Sequence, residues 1–192
     1  GIAKLRALRL ILARALSAAG IETRPKIHAE TSWRMTTRRD PYLNMLRATS
    51  ATVAAATGGA DSITTAPFPF DDADFAARMA RNVQVIADAE SSLARVADPG
   101  AGSGAIEALT DELARAAWDV FRATEAAGGA VDALRLGTLK EQIMAARDDR
   151  LARVARREIE IVGVNIHVDR SAPLPAPLEP AGSPEDGAPA GQ

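Results

Sequence analysis

Residues 27–68 read IHAETSWRMTTRRDPYLNMLRATSATVAAATGGADSITTAPF, and the order of signals in them decides the fold class. A short extended segment, Ile27 to Thr31, is followed by an irregular arginine-rich loop. Asp40-Pro41 then opens a helix that runs to about Ala56 and stops at Gly58-Gly59. Asp accepts hydrogen bonds from free backbone N–H groups, and Pro is tolerated in the first helical turn. Residues 60–66 are extended again. A strand–helix–strand unit of this kind predicts parallel strands with helices packed outside them, an α/β fold. Polar side chains gather where the first strand ends: His28, Glu30, Thr31, Ser32 and Arg34. The carboxyl ends of parallel strands are where ligands bind.

Outward from this unit the chain is helical. Ile2, Leu5, Leu8, Leu12 and Leu16 recur at spacings of three and four, which predicts an amphipathic helix over 2–19. After Phe70, Asp71, Asp72 and Asp74 crowd a helix start, where negative charge meets the positive end of the dipole. That helix should reach Glu90 and continue, kinked, to Val96. The run Asp98-Pro99-Gly100-Ala101-Gly102-Ser103-Gly104 breaks it. Further helices are expected over 105–127, 130–136 and 138–157. Residues 159–168, IEIVGVNIHV, are β-branched and read as a strand. Residues 169–192 are rich in Pro, Ala and Gly, and too poor in apolar side chains to offset ordering entropy; they are expected to be disordered.

Composition bounds function as well as fold. At 192 residues there is room for one domain, and 47% hydrophobic content permits a core. Much of that share is alanine and only 4% of residues are aromatic, so the core should be thin. A formal charge of −2 points to neither nucleic acid nor a membrane surface. No run of 18 apolar residues is present. The absence of cysteine excludes disulfides and thiolate chemistry, and suits a cytoplasmic location. The chain has no initiating methionine, so a fragment of something longer is expected.

Few residues suggest chemistry on their own. The two histidines, His28 and His167, form no i, i+4 ligand pair, so no metal site is expected. No G-x-S-x-G elbow is present, and no catalytic residue is assigned. The glycine run at 100–104 opens a helix as an anion site would, or is a flexible turn. Arg34, Arg38 and Arg39 would suit a phosphate or carboxylate, or serve packing.

The motifs in order say more. An AKLRALR helix, TSW followed by RDPYLN, then GGADSIT, RNVQVIADAES, ADPGAGSGAIEALT and finally IVGVN together resemble the methylmalonyl-CoA mutase family over residues 1–168. The resemblance implies the last strands and helices of a TIM (β/α)8 barrel that holds acyl-CoA, with extra C-terminal helices. Residues 1–168 would be this barrel portion and 169–192 the tail. It implies the interconversion of methylmalonyl-CoA and succinyl-CoA with adenosylcobalamin. The cobalamin-binding Asp-x-His-x-x-Gly motif of catalytic chains is not found in this sequence, so none of the cofactor is expected on this chain itself.

The strand-end residues depart from the catalytic pattern. Where catalytic chains resemble His-Ser-Gln-Thr-Ser-Gly-Trp, this sequence reads His28-Ala29-Glu30-Thr31-Ser32-Trp33. Where they resemble Gly-Gly-Thr-Gln-Ser-Leu-His-Thr-Asn followed by a Glu, it reads Gly58-Gly59-Ala60-Asp61-Ser62-Ile63-Thr64-Thr65-Ala66, with Phe70 at the Glu position. His28, Glu30 and Asp61 are the substrate-contacting positions that the resemblance implies. Ionised Glu30 and Asp61 only accept hydrogen bonds and oppose an anionic acyl group, which neutral amides would not. TSWRMTTRRDP and GGADSIT are similar to the small subunit of heterodimeric bacterial mutases. That subunit keeps the fold and supports a large catalytic chain. A catalytic subunit for a different acyl-CoA, or an inactive truncated product, are the alternatives.

Overall fold

The computed structural model describes residues 1–68 and 72–171, with helices dominating a small parallel sheet. In chain order the elements are α1 (Ile2–Ala18), β1 (His28–Glu30), α2 (Leu43–Thr57), β2 (Ser62–Thr64), α3 (Ala73–Val85), α4 (Gly104–Ala126), α5 (Gly129–Arg135) and α6 (Thr138–Ala155). β1 and β2 pair in parallel, His28 opposite Ser62 and Glu30 opposite Thr64, with α2 as the crossover. The expected strand–helix–strand unit is therefore present, and the fold is mixed α/β. Phe70 and Asp71 lie outside the described residues, as does most of the expected disordered tail.

The core sits between the sheet and its helices. Leu5 of α1, Ile27 and Ala55 of α2 form its centre, and Leu12, Ala29, Ala60 and Ile63 pack against them. Seven of the ten buried apolar residues given by the described chain are alanine. Small side chains stabilise by letting backbones approach closely, because each removes little apolar area from water. Gly58, at the end of α2, shows how close. A Cβ there would stand 2.9 Å from the Ala54 carbonyl oxygen, 3.0 Å from that of Ile2 and 3.1 Å from the Leu5 Cβ.

α1 also packs along α4. Arg6 reaches both Asp98 and, at 2.7 Å, Glu107 in the first turn of α4. Arg14 stacks over the Trp118 ring at 4.5 Å, and Trp118 in turn stacks on Phe121. Glu107 accepts from the Gly102 N–H as well. The glycine run at 100–104 is thus closed by an internal carboxylate, and the turn reading holds over the anion-site reading.

Three local expectations need correction. Residues 159–168 do not form a strand. Gly163 has φ +78, and the Asn165 side chain accepts from the Ile161 N–H and donates to the Ile159 carbonyl, so this stretch folds into a turn with one isolated bridge, Val162 to Ile166. Side-chain hydrogen bonding and a left-handed glycine override β propensity here. Asp40 does not cap α2 with its carboxylate. Its φ is +47, and Asp40, Pro41 and Tyr42 instead accept, through their carbonyls, from Leu43, Asn44 and Met45, a tight i to i+3 first turn. The helix after Asp72 does not continue to Val96. It passes into one π turn at Ile86–Glu90, then Ser92 at φ 56 and a 3-10 turn at Leu93–Arg95. Asp72 itself does cap, accepting from the Phe75 N–H.

Two predictions follow from this packing. Gly58→Ala forces α1 away from α2 although its φ of −78 suits alanine, and the expected loss is about 1–3 kcal/mol by urea denaturation. Each strand has only one described neighbour, and Val131, Leu134 and Leu136 are exposed at 66–73%. Sheet edges and apolar faces left open promote association. Sedimentation velocity should show concentration-dependent association; a sharp monomer boundary with cooperative unfolding would contradict this.

Candidate functional site

The two-residue period of the strands sorts the side chains. Ala29 and Ile63 face the helices and join the core, while His28, Glu30, Ser62 and Thr64 are exposed on the opposite face. The register brings His28 between the two hydroxyls of β2. Its Nδ1 lies 2.8 Å from Ser62 Oγ and its Nε2 lies 3.2 Å from Thr64 Oγ1. The ring is held at both nitrogens and cannot turn without losing one contact. Glu30 stands one pair further along the same face, exposed.

Beyond the strands the ladder continues through side chains. The Thr31 N–H donates to the Thr64 carbonyl, and the Ala66 N–H donates to Thr31 Oγ1. Thr65 points inward and shares a buried hydroxyl contact of 2.8 Å with Thr52 of α2, while Gln84 of α3 donates to the same oxygen. Buried polar groups that satisfy one another fix relative position. This link sets the height of β2 against both helices, and so positions Thr64.

Asp61 occupies a different place. It sits at the start of β2, away from the row formed by His28 and Glu30. Its Oδ2 accepts from the Ile27 N–H at 2.8 Å and from Arg9 of α1 at 2.8 Å, and Arg9 also donates to the Gly59 carbonyl. The hydrogen bond from the Ile27 N–H, and then Arg9, hold the Asp61 carboxyl below the usual carboxylate range. Of the three positions singled out from the sequence, the structure brings His28 and Glu30 together and gives Asp61 the task of tying two strand starts to α1.

Sequence reasoning missed Ser62 and Thr64 as the partners of His28. The signal was available: in a parallel pair, offset i and i+2 on each strand share one face. The resulting row of imidazole and hydroxyls can donate to a carbonyl oxygen, and Glu30 adds an acceptor at the end.

Comparison with known proteins places this geometry. The sequence profile for methylmalonyl-CoA mutase matches residues 1–182. The chain belongs to the methylmalonyl-CoA mutase family. It is 46% identical over 191 residues to the methylmalonyl-CoA mutase small subunit of Streptomyces virginiae, covering 94% of this chain and 31% of that one. To the small subunit of Propionibacterium freudenreichii subsp. shermanii it is 40% identical over 171 residues, 85% of this chain and 27% of that one. To the methylmalonyl-CoA mutase of Escherichia coli K12 it is 37% identical over 173 residues, 85% of this chain and 24% of that one. The resemblance to mutase small subunits drawn from TSWRMTTRRDP and GGADSIT is borne out. The chain spans about a third or less of the length of these relatives.

The Asp61 contacts carry a pH prediction for this family member. A carboxylate whose folded pKa is depressed contributes stability above its unfolded pKa of about 4 and loses it as pH falls through the folded value. Asp61→Asn keeps an acceptor for Ile27 but loses the charge facing Arg9. The variant should be less stable than the parent at pH 7, and the gap should close as pH falls below about 4. Urea midpoints measured across pH check this; a constant gap would contradict it.

Proposed function

We propose that this chain is part of the acyl-CoA-binding barrel of a methylmalonyl-CoA mutase small subunit, and that the subunit supports rather than performs the reaction. The adenosylcobalamin-dependent interconversion of methylmalonyl-CoA and succinyl-CoA would be carried out by a large catalytic subunit paired with it in a cytoplasmic heterodimer. The observation that carries this reading is the exposed face of β1 and β2. By the resemblance to catalytic chains, Glu30 stands at a glutamine position, Thr64 at that of a second histidine, and Ala66, just beyond β2, at that of an asparagine. Phe70, at the glutamate position, lies outside the described residues.

The chemistry of that face supports the reading. His28 remains, but its second nitrogen is met by the short Thr64 hydroxyl instead of a second imidazole. A hydroxyl at a pKa far above neutrality does not relay protons as imidazole does. The Glu30 carboxylate repels a carboxylated acyl group that a glutamine would receive with its N–H groups. The parallel strand–helix–strand unit, with its polar row at one face of the sheet, is what late strands of a (β/α)8 barrel would supply.

The residues present do not fit a cobalamin ligand. Both ring nitrogens of His28 are engaged by Ser62 and Thr64, and His167 is followed by Val168-Asp169-Arg170, outside any Asp-x-His-x-x-Gly pattern. Adenosylcobalamin therefore belongs, in this reading, to the partner. One observation favours a second reading, a catalytic subunit for a different acyl-CoA: with His28 bridging Ser62 and Thr64, the hydroxyl that accepts from the ring keeps its own proton to donate to a thioester carbonyl.

Co-expression with a methylmalonyl-CoA mutase large subunit tests the proposal. The expected outcome is a stable complex that isomerises methylmalonyl-CoA, while this chain alone with adenosylcobalamin does not. His28→Ala should leave turnover of the complex within about twofold, since a group outside the reacting centre contributes little to the barrier. Isomerisation by the chain alone would overturn the proposal in favour of the second reading.

A further inference from the structure

The half-buried cations of this chain are not treated alike. Arg6 is matched by two carboxylates, Asp98 and Glu107, and Arg9 by Asp61. Arg47 on α2 is matched by none within 4 Å among the described residues. Its Nη1 donates to Thr37 Oγ1 and Asn44 Oδ1, and its Nη2 donates to the Val162 carbonyl, all neutral acceptors. Burial pulls its guanidinium below the usual arginine range. The Asp40 carboxylate offsets this only in part and from beyond ion-pair distance, and a charge taken partly out of water without a close counter-charge is costly, so its retention asks for a reason.

Arg47 lines an open groove of about 470 Å³ between the start of α2, the Arg34–Thr37 loop and residues 159–162. Leu43, Leu46, Ile159 and Ile161 supply apolar walls. Two more arginines, Arg34 and Arg150, line it, and neither guanidinium makes a hydrogen bond or ion pair among the described residues. Glu160 is the groove's one carboxylate. Three guanidiniums face Glu160 in the groove, with Asp40 acting on Arg47 from beyond ion-pair distance, so positive charge is in excess and the guanidinium forks suit the several oxygens of a phosphate monoester. The volume falls within the ordinary range of small-ligand sites.

Arg47 is also fixed in place. Asn44, fully buried, accepts from the Thr37 N–H at 3.0 Å and donates to the Thr37 carbonyl at 2.8 Å, which locks the loop against α2. The same Asn44 oxygen receives Arg47. A cation held by neutral acceptors, beside two unpartnered ones and over apolar walls, is a preorganised anion receptor. We propose that this groove binds an amphipathic phosphate monoester, with the phosphate on Arg34, Arg47 and Arg150 and the apolar body against Leu43, Leu46 and Ile161. The groove shares no residue with the His28 row, and the inference stands apart from the proposed role in the mutase.

Isothermal titration of the full chain with octyl phosphate tests it. Saturable binding at one site per chain is expected, and the double variant Arg34→Gln, Arg150→Gln should weaken it by about tenfold or more without moving the melting temperature. Among the described residues those two side chains have no partner to lose, so the variant should fold. Inorganic phosphate and octanol should each bind at least about tenfold more weakly than octyl phosphate. The proposal is overturned by no binding at millimolar octyl phosphate, by unchanged affinity in the double variant, or by equal binding of inorganic phosphate or octanol.

Discussion

The exchange between Ile27 and Asp61 governs the rest of the structure. The Asp61 N–H donates to the Ile27 carbonyl at 2.8 Å, and the Asp61 carboxylate accepts from the Ile27 N–H at the same distance. One residue thus satisfies both polar groups of its neighbour and fixes where the two strands start. Parallel pairing has no hairpin to set its register. A slip of β1 by one residue would turn Ala29 out of the core and send His28 into it. Arg9 completes the lock from α1, so helix, first strand and second strand are indexed by a single carboxylate.

With that register set, the polar row is a consequence. His28 meets Ser62 and Thr64 because position 27 meets position 61. The inward Thr65 finds Thr52 and Gln84 for the same reason, and the alanines of α2 bring the helix close enough for those hydroxyls to touch. The thin core and the polar links are two sides of one arrangement. Small side chains give up hydrophobic area, and satisfied buried hydroxyls supply the positional definition that bulky side chains provide elsewhere.

This division explains what was legible in the sequence. Helices announced themselves through periodicity, and the glycine pair at 58–59 and the aspartates around 72–74 marked real ends. The strand pair was legible because turn signals bounded it. Residues 159–168 were misread because IEIVGVNIHV carries strong β propensity, whereas the decisive term is Asn165, whose side chain satisfies the backbone of its own turn. Asp40 was misread because its carbonyl, not its carboxylate, starts the helix. The role of Asp61 was hidden for a related reason. Position in the family pattern suggests a ligand contact, which is silent about the partners the structure gives this side chain, Ile27 and Arg9, 34 and 52 residues away in sequence.

The substitution at Asp61 then looks different in physical terms. A glutamine at this point would still offer an oxygen to the Ile27 N–H, but as a neutral acceptor, and Arg9 would face no charge. An aspartate is shorter and ionised, and it binds more strongly to the two donors that are already there. The change strengthens the joint between sheet and helix while withdrawing an amide from any ligand. At Glu30 and Thr64 the changes have no such structural partner: Glu30 is exposed, and Thr64 offers His28 only a hydroxyl at 3.2 Å. One of these positions ties sheet to helix through its carboxylate, and the other two leave their side chains on the exposed face, where their neighbours are His28 and solvent.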